Sequence, residues 1–209
     1  TCSDMGVGSA TLTITDASGN TSTCTSAITV MDTLAPMMSC TPVTIYLDAM
    51  GMATLTASQV DGGSTDNCGI ATMSVSRSSF TCADMGTTTV TLTGTDASGN
   101  TSTCTTTVTI LDTLAPVVLC KSATVVLDAT GTATITTLDV DNGSTDNCGI
   151  TLSLSNNTFN CTNVGANTVT LTGTDASGNT SSCTATVTVI DNMAPTAICQ
   201  NITISLDGN

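Results

Sequence analysis

The chain has 209 residues, 16 acidic and 2 basic side chains and no histidine, for a net charge of −14. All the acids are aspartate, and Arg77 and Lys121 are the only cations, which argues against nucleic acid or an anionic membrane surface as a partner and leaves metal cations or plain solubility. The Glu, Lys and Leu of exposed helix faces are largely replaced by Thr, Ser, Val and Ile with Gly, Asn and Asp as turn formers, so the composition predicts an all-β chain.

In chain order, Thr1–Thr33 ends a repeat unit whose D-A-S-G-N turn begins at Asp16. An A-P linker opens a complete unit at 34–113, with strands expected near 42–48, 52–60, 70–76, 87–95 and 102–111 and a short one at 79–82. A second complete unit covers 114–192, and 193–209 matches the first strand of another. Self-comparison sets these limits. T-D-A-S-G-N-T-S begins at Thr15, Thr95 and Thr174, A-P-x-x-x-C at Ala35, Ala115 and Ala194, and G-S-T-D-N-C-G-I at Gly63 and Gly143. The spacing is 80 residues, then 79, with the one-residue deletion between Ile150 and Phe159. The segment is thus expected to be a window from a longer array, the alternative being half-units that complete each other between subunits by strand donation. Within a unit, Val43, Ile45 and Leu47, Val90 and Leu92, and Val108 and Ile110 alternate with polar or Thr positions, the period of a strand with one buried face. D-A-S-G-N between two such runs reads as a hairpin turn.

A core with no Trp, one Tyr (Tyr46) and two Phe (Phe80, Phe159) buries little apolar area per residue and needs other support. Eleven cysteines supply it. With no C-x-x-C or Cys/His spacing for zinc, they read as disulfides and place the protein outside the cell or at its surface. No signal peptide or apolar stretch of membrane-spanning length is present, so an export signal is expected to have been removed or to lie outside this segment.

The in-register pattern D-x-x-A-P-x-x-x-C, T-D-N-C-G, then F-x-C-x-x-x-G-x-x-T-V-T-L-T-x-T-D-A-S-G-N-T-S-x-C resembles hyalin (HYR) repeats, and more closely their form in secreted adhesins and filaments of Bacteroidetes. The resemblance covers the whole chain. It implies tandem immunoglobulin-like β-sandwich repeats and extracellular adhesion or assembly, with no enzymatic activity. In such a sandwich the first and last strands run side by side in parallel, so Cys40 is expected to bond Cys104 and Cys120 to bond Cys183. Simpler family members keep only the first and last cysteines, which favours this outer pair. Cys68–Cys82 and Cys148–Cys161 would close short excursions, leaving Cys2, Cys24 and Cys199 with partners elsewhere. A competing scheme pairs neighbours (Cys2–Cys24, Cys40–Cys68, Cys82–Cys104). Cys40, out of parity with Val43, needs a bulge or twist in the preferred one.

Aspartates recur at fixed places. Asp32, Asp112 and Asp191 precede the A-P linkers; Asp61 and Asp66, and Asp141 and Asp146, sit in the loop after the second strand; Asp96 and Asp175, like Asp16, open the D-A-S-G-N turn. Tracing the strands up and down a sandwich puts all three positions at one end of a repeat, beside the linker. With no cation to neutralise them, Ca²⁺ is the expected ligand, since it takes six to eight oxygens from flexible loops, while Mg²⁺ fits less well. The simpler reading is turn chemistry alone. Asp4, Asp48, Asp84, Asp128 and Asp207 read as solvated turn residues.

Catalysis lacks a base other than Asp for any Ser, Thr or Cys nucleophile, and an Asp pair repeated identically along an array suits a scaffold better than a glycosidase site. D-T-L at Thr33 and Thr113 resembles the Asp-Ser/Thr-aliphatic O-glycosylation signal of Bacteroidetes, and N-x-S/T occurs at Asn20, Asn100 and Asn179. Ice binding would need a flat Thr array, which a twisted sheet seldom offers. The function expected is a structural filament or stalk segment, calcium-rigidified between repeats. Its partners would be neighbouring repeats of the same chain or identical subunits in a fibre; the alternative is an adhesin whose repeats bind a glycan or protein.

Overall fold

The computed structural model describes residues 1–206, so Asp207 lies outside the described residues. The chain forms two compact units, Thr1–Thr113 and a second from Leu114 onward.

The first unit starts with a hairpin of β1 (Gly6–Thr15) and β2 (Thr21–Val30), registered from Gly6 opposite Val30 to Thr15 opposite Thr21. It continues through β3 (Val43–Tyr46), β4 (Met52–Thr54), α1 (Ala57–Val60), β5 (Ile70–Val75), β6 (Ser79–Thr81), β7 (Gly86–Asp96) and β8 (Thr101–Leu111). One sheet has the order β3-β8-β7-β5, with β3 parallel to β8 from Val43 beside Val108 to Tyr46 beside Leu111. The other layer is the β4–β6 ladder. Apolar residues of alternate parity close the space between them: Val90 and Leu92 of β7, Val108 and Ile110 of β8, and Phe80 of β6 are all buried. This is an all-β, immunoglobulin-like sandwich.

The second unit repeats this plan with β9 (Ala123–Val126), β10 (Thr132–Thr134), α2 (Thr137–Val140), β11 (Thr151–Leu154), β12 (Thr158–Asn160), β13 (Gly165–Thr174) and β14 (Thr180–Ile190). Its large sheet runs β11-β13-β14-β9 and its small one pairs β10 with β12. Leu127, Ile135, Val140, Phe159, Leu171 and Val187 form the centre of its core.

Three expectations are corrected. The strand expected over 52–60 ends at Thr54 and gives way to α1. Thr56 and Gln59 form a reciprocal capping box that starts the turn, and Val60 then fills the core with no exposed surface. The strand expected within 193–209 is absent among residues 193–206. In each complete repeat that strand lies parallel to the repeat's last strand, and among the described residues 193–206 pair with no such strand. The parity of Cys40 needs no bulge. Before Pro42 the chain makes isolated bridges, Met37 to Thr65 and Cys40 to Asp61, and after it β3 joins β8. The change of partner at the proline shifts the less exposed positions from Met38 and Cys40 to Val43 and Ile45.

Candidate metal site and disulfide framework

The D-A-S-G-N turn holds Asp96 at the end of β7 through its own hydrogen bonds. Oδ1 accepts from the Ser98 N–H at 2.9 Å and the Asn100 N–H at 2.8 Å, and Oδ2 accepts from the Asn100 side-chain amide at 2.7 Å. Asp96 is buried. Asp66 is fixed by the Cys68 N–H, which donates to its Oδ2 at 2.8 Å. Asp32 is held from three sides. Its Oδ1 accepts from the Leu34 N–H and the Asn67 side-chain amide, each at 3.1 Å, and its carbonyl accepts from the Asn100 amide at 3.1 Å. The three carboxylates each bring one oxygen within 4.8 Å of the others.

Two carboxylate oxygens of these residues, Asp32 Oδ2 and Asp66 Oδ1, are buried and have no hydrogen-bond donor. A buried carboxylate oxygen without a partner is costly, and here two sit beside a third carboxylate. Arg77 is engaged elsewhere: it pairs with Asp84 and lies 4.6 Å over the Phe80 ring. Calcium–oxygen distances of about 2.3–2.6 Å place two oxygens on one ion no more than about 5 Å apart. The spacing and all-oxygen character of the site fit a hard divalent cation.

The second unit presents the corresponding loops. Asp146 Oδ2 accepts from the Cys148 N–H at 2.8 Å, Asp175 Oδ1 from the Ser177 N–H at 2.9 Å, and these two residues offer oxygens within 4.8 Å of each other. Asp112, closing the first unit, is buried.

Among the described residues Asp61 and Asp141 join no cluster. Each turns back on its own loop, where Asp61 Oδ1 accepts from the Ser64 N–H and Asp141 Oδ1 from the Ser144 N–H, both at 2.9 Å. Asp191 is exposed and accepts from the Met193 N–H at 2.9 Å. It is grouped with no other acid among the described residues.

Hydrogen bonds also set the acid response. Burial pushes the Asp96 and Asp175 carboxyls up, but the side chains and backbones of Asn100 and Asn179 outweigh it and leave both below the ordinary 3.8. The Ser64 and Ser144 side chains lower Asp61 and Asp141, and the Thr130 side chain with the backbone of the LDA turn takes Asp128 down to about 2. Groups lowered by folding contribute stability above their unfolded values and lose it as pH falls through the folded ones. In chelator, the melting temperature is therefore expected to be level from neutral pH to about 5 and to fall between about pH 4 and 2. Thermal melts across this range check it; a fall centred near pH 6 would contradict it.

Eight cysteines are in disulfides. Cys40 joins Cys104 and Cys120 joins Cys183, with Cα separations of 6.0 and 5.9 Å. Cys68 bonds Cys2, not Cys82, with Cα atoms 5.4 Å apart. Cys161 is a free, exposed thiol and does not bond Cys148. The excursion between Cys68 and Cys82 contains β5 and β6, so the two cysteines stand at opposite ends of it, and Cys68 meets the 3₁₀ turn Cys2–Asp4 ahead of the first hairpin instead. Cys24 and Cys199 are also free. Thr33 and Thr113 are exposed, as is Asn20. The Asn100 and Asn179 amides instead donate to Asp96 and Asp175, at 2.7 and 2.8 Å, which engages the nitrogen a glycan would need. No helix among the described residues is long and apolar enough to cross a membrane.

The HYR domain model matches residues 31–110 and again 111–189. No curated protein matches the chain. Similar solved structures include extracellular cadherin domains 1–4 of protocadherin gamma B7, at 13% identity over 91% of this chain and TM-score 0.35. The chain spans 59% of that structure. Human protocadherin-24 EC1–2 is 13% identical, covering 77% of this chain and 100% of its own, at TM-score 0.40. Likeness at this level says nothing about function.

Proposed function

The chain belongs to the HYR-domain family, and from that membership and the carboxylate cluster we propose that it is a structural repeat segment of an extracellular filament or cell-surface stalk, stiffened by calcium where one repeat follows another. Tandem, disulfide-bonded HYR repeats are of a structural or adhesive kind. The observation that carries the finer reading is the pair of donorless buried oxygens, Asp32 Oδ2 and Asp66 Oδ1. Asp32 stands on the linker after β2, Asp66 in the loop before β5 and Asp96 at the end of β7. An ion held by all three ties the first hairpin to the repeat that follows it. Asp32, Asp66 and Asp96 would be its ligands, and Asp146 and Asp175 are proposed to offer the corresponding carboxylates within the second unit.

The partners proposed are neighbouring repeats of one long chain or identical subunits of a fibre, with Thr33 and Thr113 as glycan acceptors. A stalk presents the same surface in every repeat, and the recurring Thr faces of β7–β8 and β13–β14 support that over a repeat-specific binding tip.

Small-angle scattering in calcium and in chelator tests the stiffening. Chelation is expected to broaden the distribution of interatomic distances and to lower the melting temperature, because an ion bound at 100 times its Kd stabilises the fold by about 2.7 kcal/mol. Identical scattering and melting in both conditions would sink the proposal.

A further inference from the structure

Three cysteines occupy one position of the repeat: Cys2 in T-C-S-D-M-G, Cys82 in T-C-A-D-M-G and Cys161 in N-C-T-N-V-G. Each opens a three-residue 3₁₀ turn, Cys2–Asp4, Cys82–Asp84 and Cys161–Asn163, closed by the same capping box. The sulfurs of the two complete repeats are placed alike, Cys82 Sγ 3.7 Å from the Gly51 carbonyl and Cys161 Sγ 3.7 Å from that of Gly131. Yet Cys2 is bonded to Cys68, the T-D-N-C-G cysteine of the following repeat, Cys82 is also disulfide-bonded, and Cys161 is free and exposed. Both T-D-N-C-G cysteines of the chain, Cys68 and Cys148, are already bonded.

We propose that Cys161 is a covalent docking site for the T-D-N-C-G cysteine of another HYR repeat. Two thiols join as one disulfide, losing two electrons and two protons to a small disulfide oxidant such as oxidised glutathione, which leaves as two thiols. The sequence around Cys161 is matched to that partner. Asp191 follows Cys161 by 30 residues, as Asp32 follows Cys2, so the bond that brings in a T-D-N-C-G loop also brings its aspartate toward the linker acid. Among the described residues Asp191 belongs to no acidic cluster. The proposal does not depend on calcium. It makes the junction between repeats, like the inside of each sandwich, a place of covalent fastening.

The Cys2→Ser chain tests it, because it carries a free T-D-N-C-G thiol at Cys68 together with Cys161, Cys24 and Cys199. The chain is held in a glutathione redox buffer, denatured and cut without reduction by an Asp-specific protease and by chymotrypsin, whose cuts after Phe80 and Phe159 part Cys68 from Cys82 and Cys148 from Cys161, and its linked peptides are read by mass spectrometry. Intact Cys40–Cys104 and Cys120–Cys183 peptides report folding. The expected result is Cys161–Cys68 linkage between copies, at least tenfold above Cys161–Cys24 and Cys161–Cys199, with a ladder of oligomers that Cys161→Ser abolishes. Cys161 remaining a thiol, or linking to all three without preference, overturns the proposal. Should Cys2→Ser fail to fold, a chain with residues 115–209 in place of 194–209 supplies a further T-D-N-C-G loop in cis. Cys161 bonded to that loop's cysteine supports the proposal; Cys161 left free or bonded elsewhere overturns it.

Discussion

Replacing Cys120 and Cys183 together by alanine is expected to destabilise the second unit by about 4 kcal/mol, the chain-entropy value for a loop of this size. The bridge spans 63 residues and ties the segment before β9 to β14, so nearly the whole repeat lies inside the loop it closes. A single repeat of about 80 residues has a total stability on the order of 4–12 kcal/mol, so a loss of this size removes a third or more. The core offers little reserve, because Phe159 is its only aromatic and the rest are aliphatic side chains and alanines. Guanidinium unfolding of the double variant should show a clearly lower midpoint and a steeper slope, because the unbridged unfolded chain exposes more surface. A midpoint unmoved from the parent would show that the bridge constrains nothing the sheets do not already hold.

Phe80→Ala should cost about 3–5 kcal/mol, the range for truncating a fully buried phenylalanine. Phe80 has no exposed surface and is the largest side chain among the fully buried residues. It pairs with Ala53 across the β4–β6 ladder, whose small partner cannot spread into the space left behind. The Arg77 guanidinium over its ring adds a cation–π contact at the rim that the truncation also removes. Thermal or chemical denaturation checks this. A loss below about 1 kcal/mol would mean the layer collapses onto the cavity, against a rigid two-layer sandwich.

Where the sequence carried a period, the fold was legible. Val90, Leu92, Val108 and Ile110 alternate with Thr, and all four are buried in β7 and β8. The four-residue α1 has no period to detect. Its signal was the Thr56–Gln59 capping box, which the alternation of Ala53, Leu55 and Ala57 masked. Cysteine pairing failed for a different reason. Every repeat carries the same cysteines, so a self-comparison cannot tell a bond within one period from a bond to the next, and Cys68 reaches back to Cys2. Within the acidic set, Asp61 and Asp66 share a loop, and only the local hydrogen bonds separate them. Asp61 is taken up by Ser64, while Asp66 is turned by the Cys68 N–H toward Asp32 and Asp96. Turn chemistry and a site are not alternatives at Asp96: the bonds that close the D-A-S-G-N turn are the ones that hold its carboxylate in place.

A calcium titration by calorimetry, run on the parent chain, Asp66→Asn and Asp61→Asn, tests the carboxylate site at the linker. The parent is expected to bind calcium, Asp66→Asn to bind one ion fewer or to bind that ion at least tenfold more weakly, and Asp61→Asn to match the parent. A parent chain that takes up no calcium, or an Asp66→Asn chain that binds as the parent does, would contradict it.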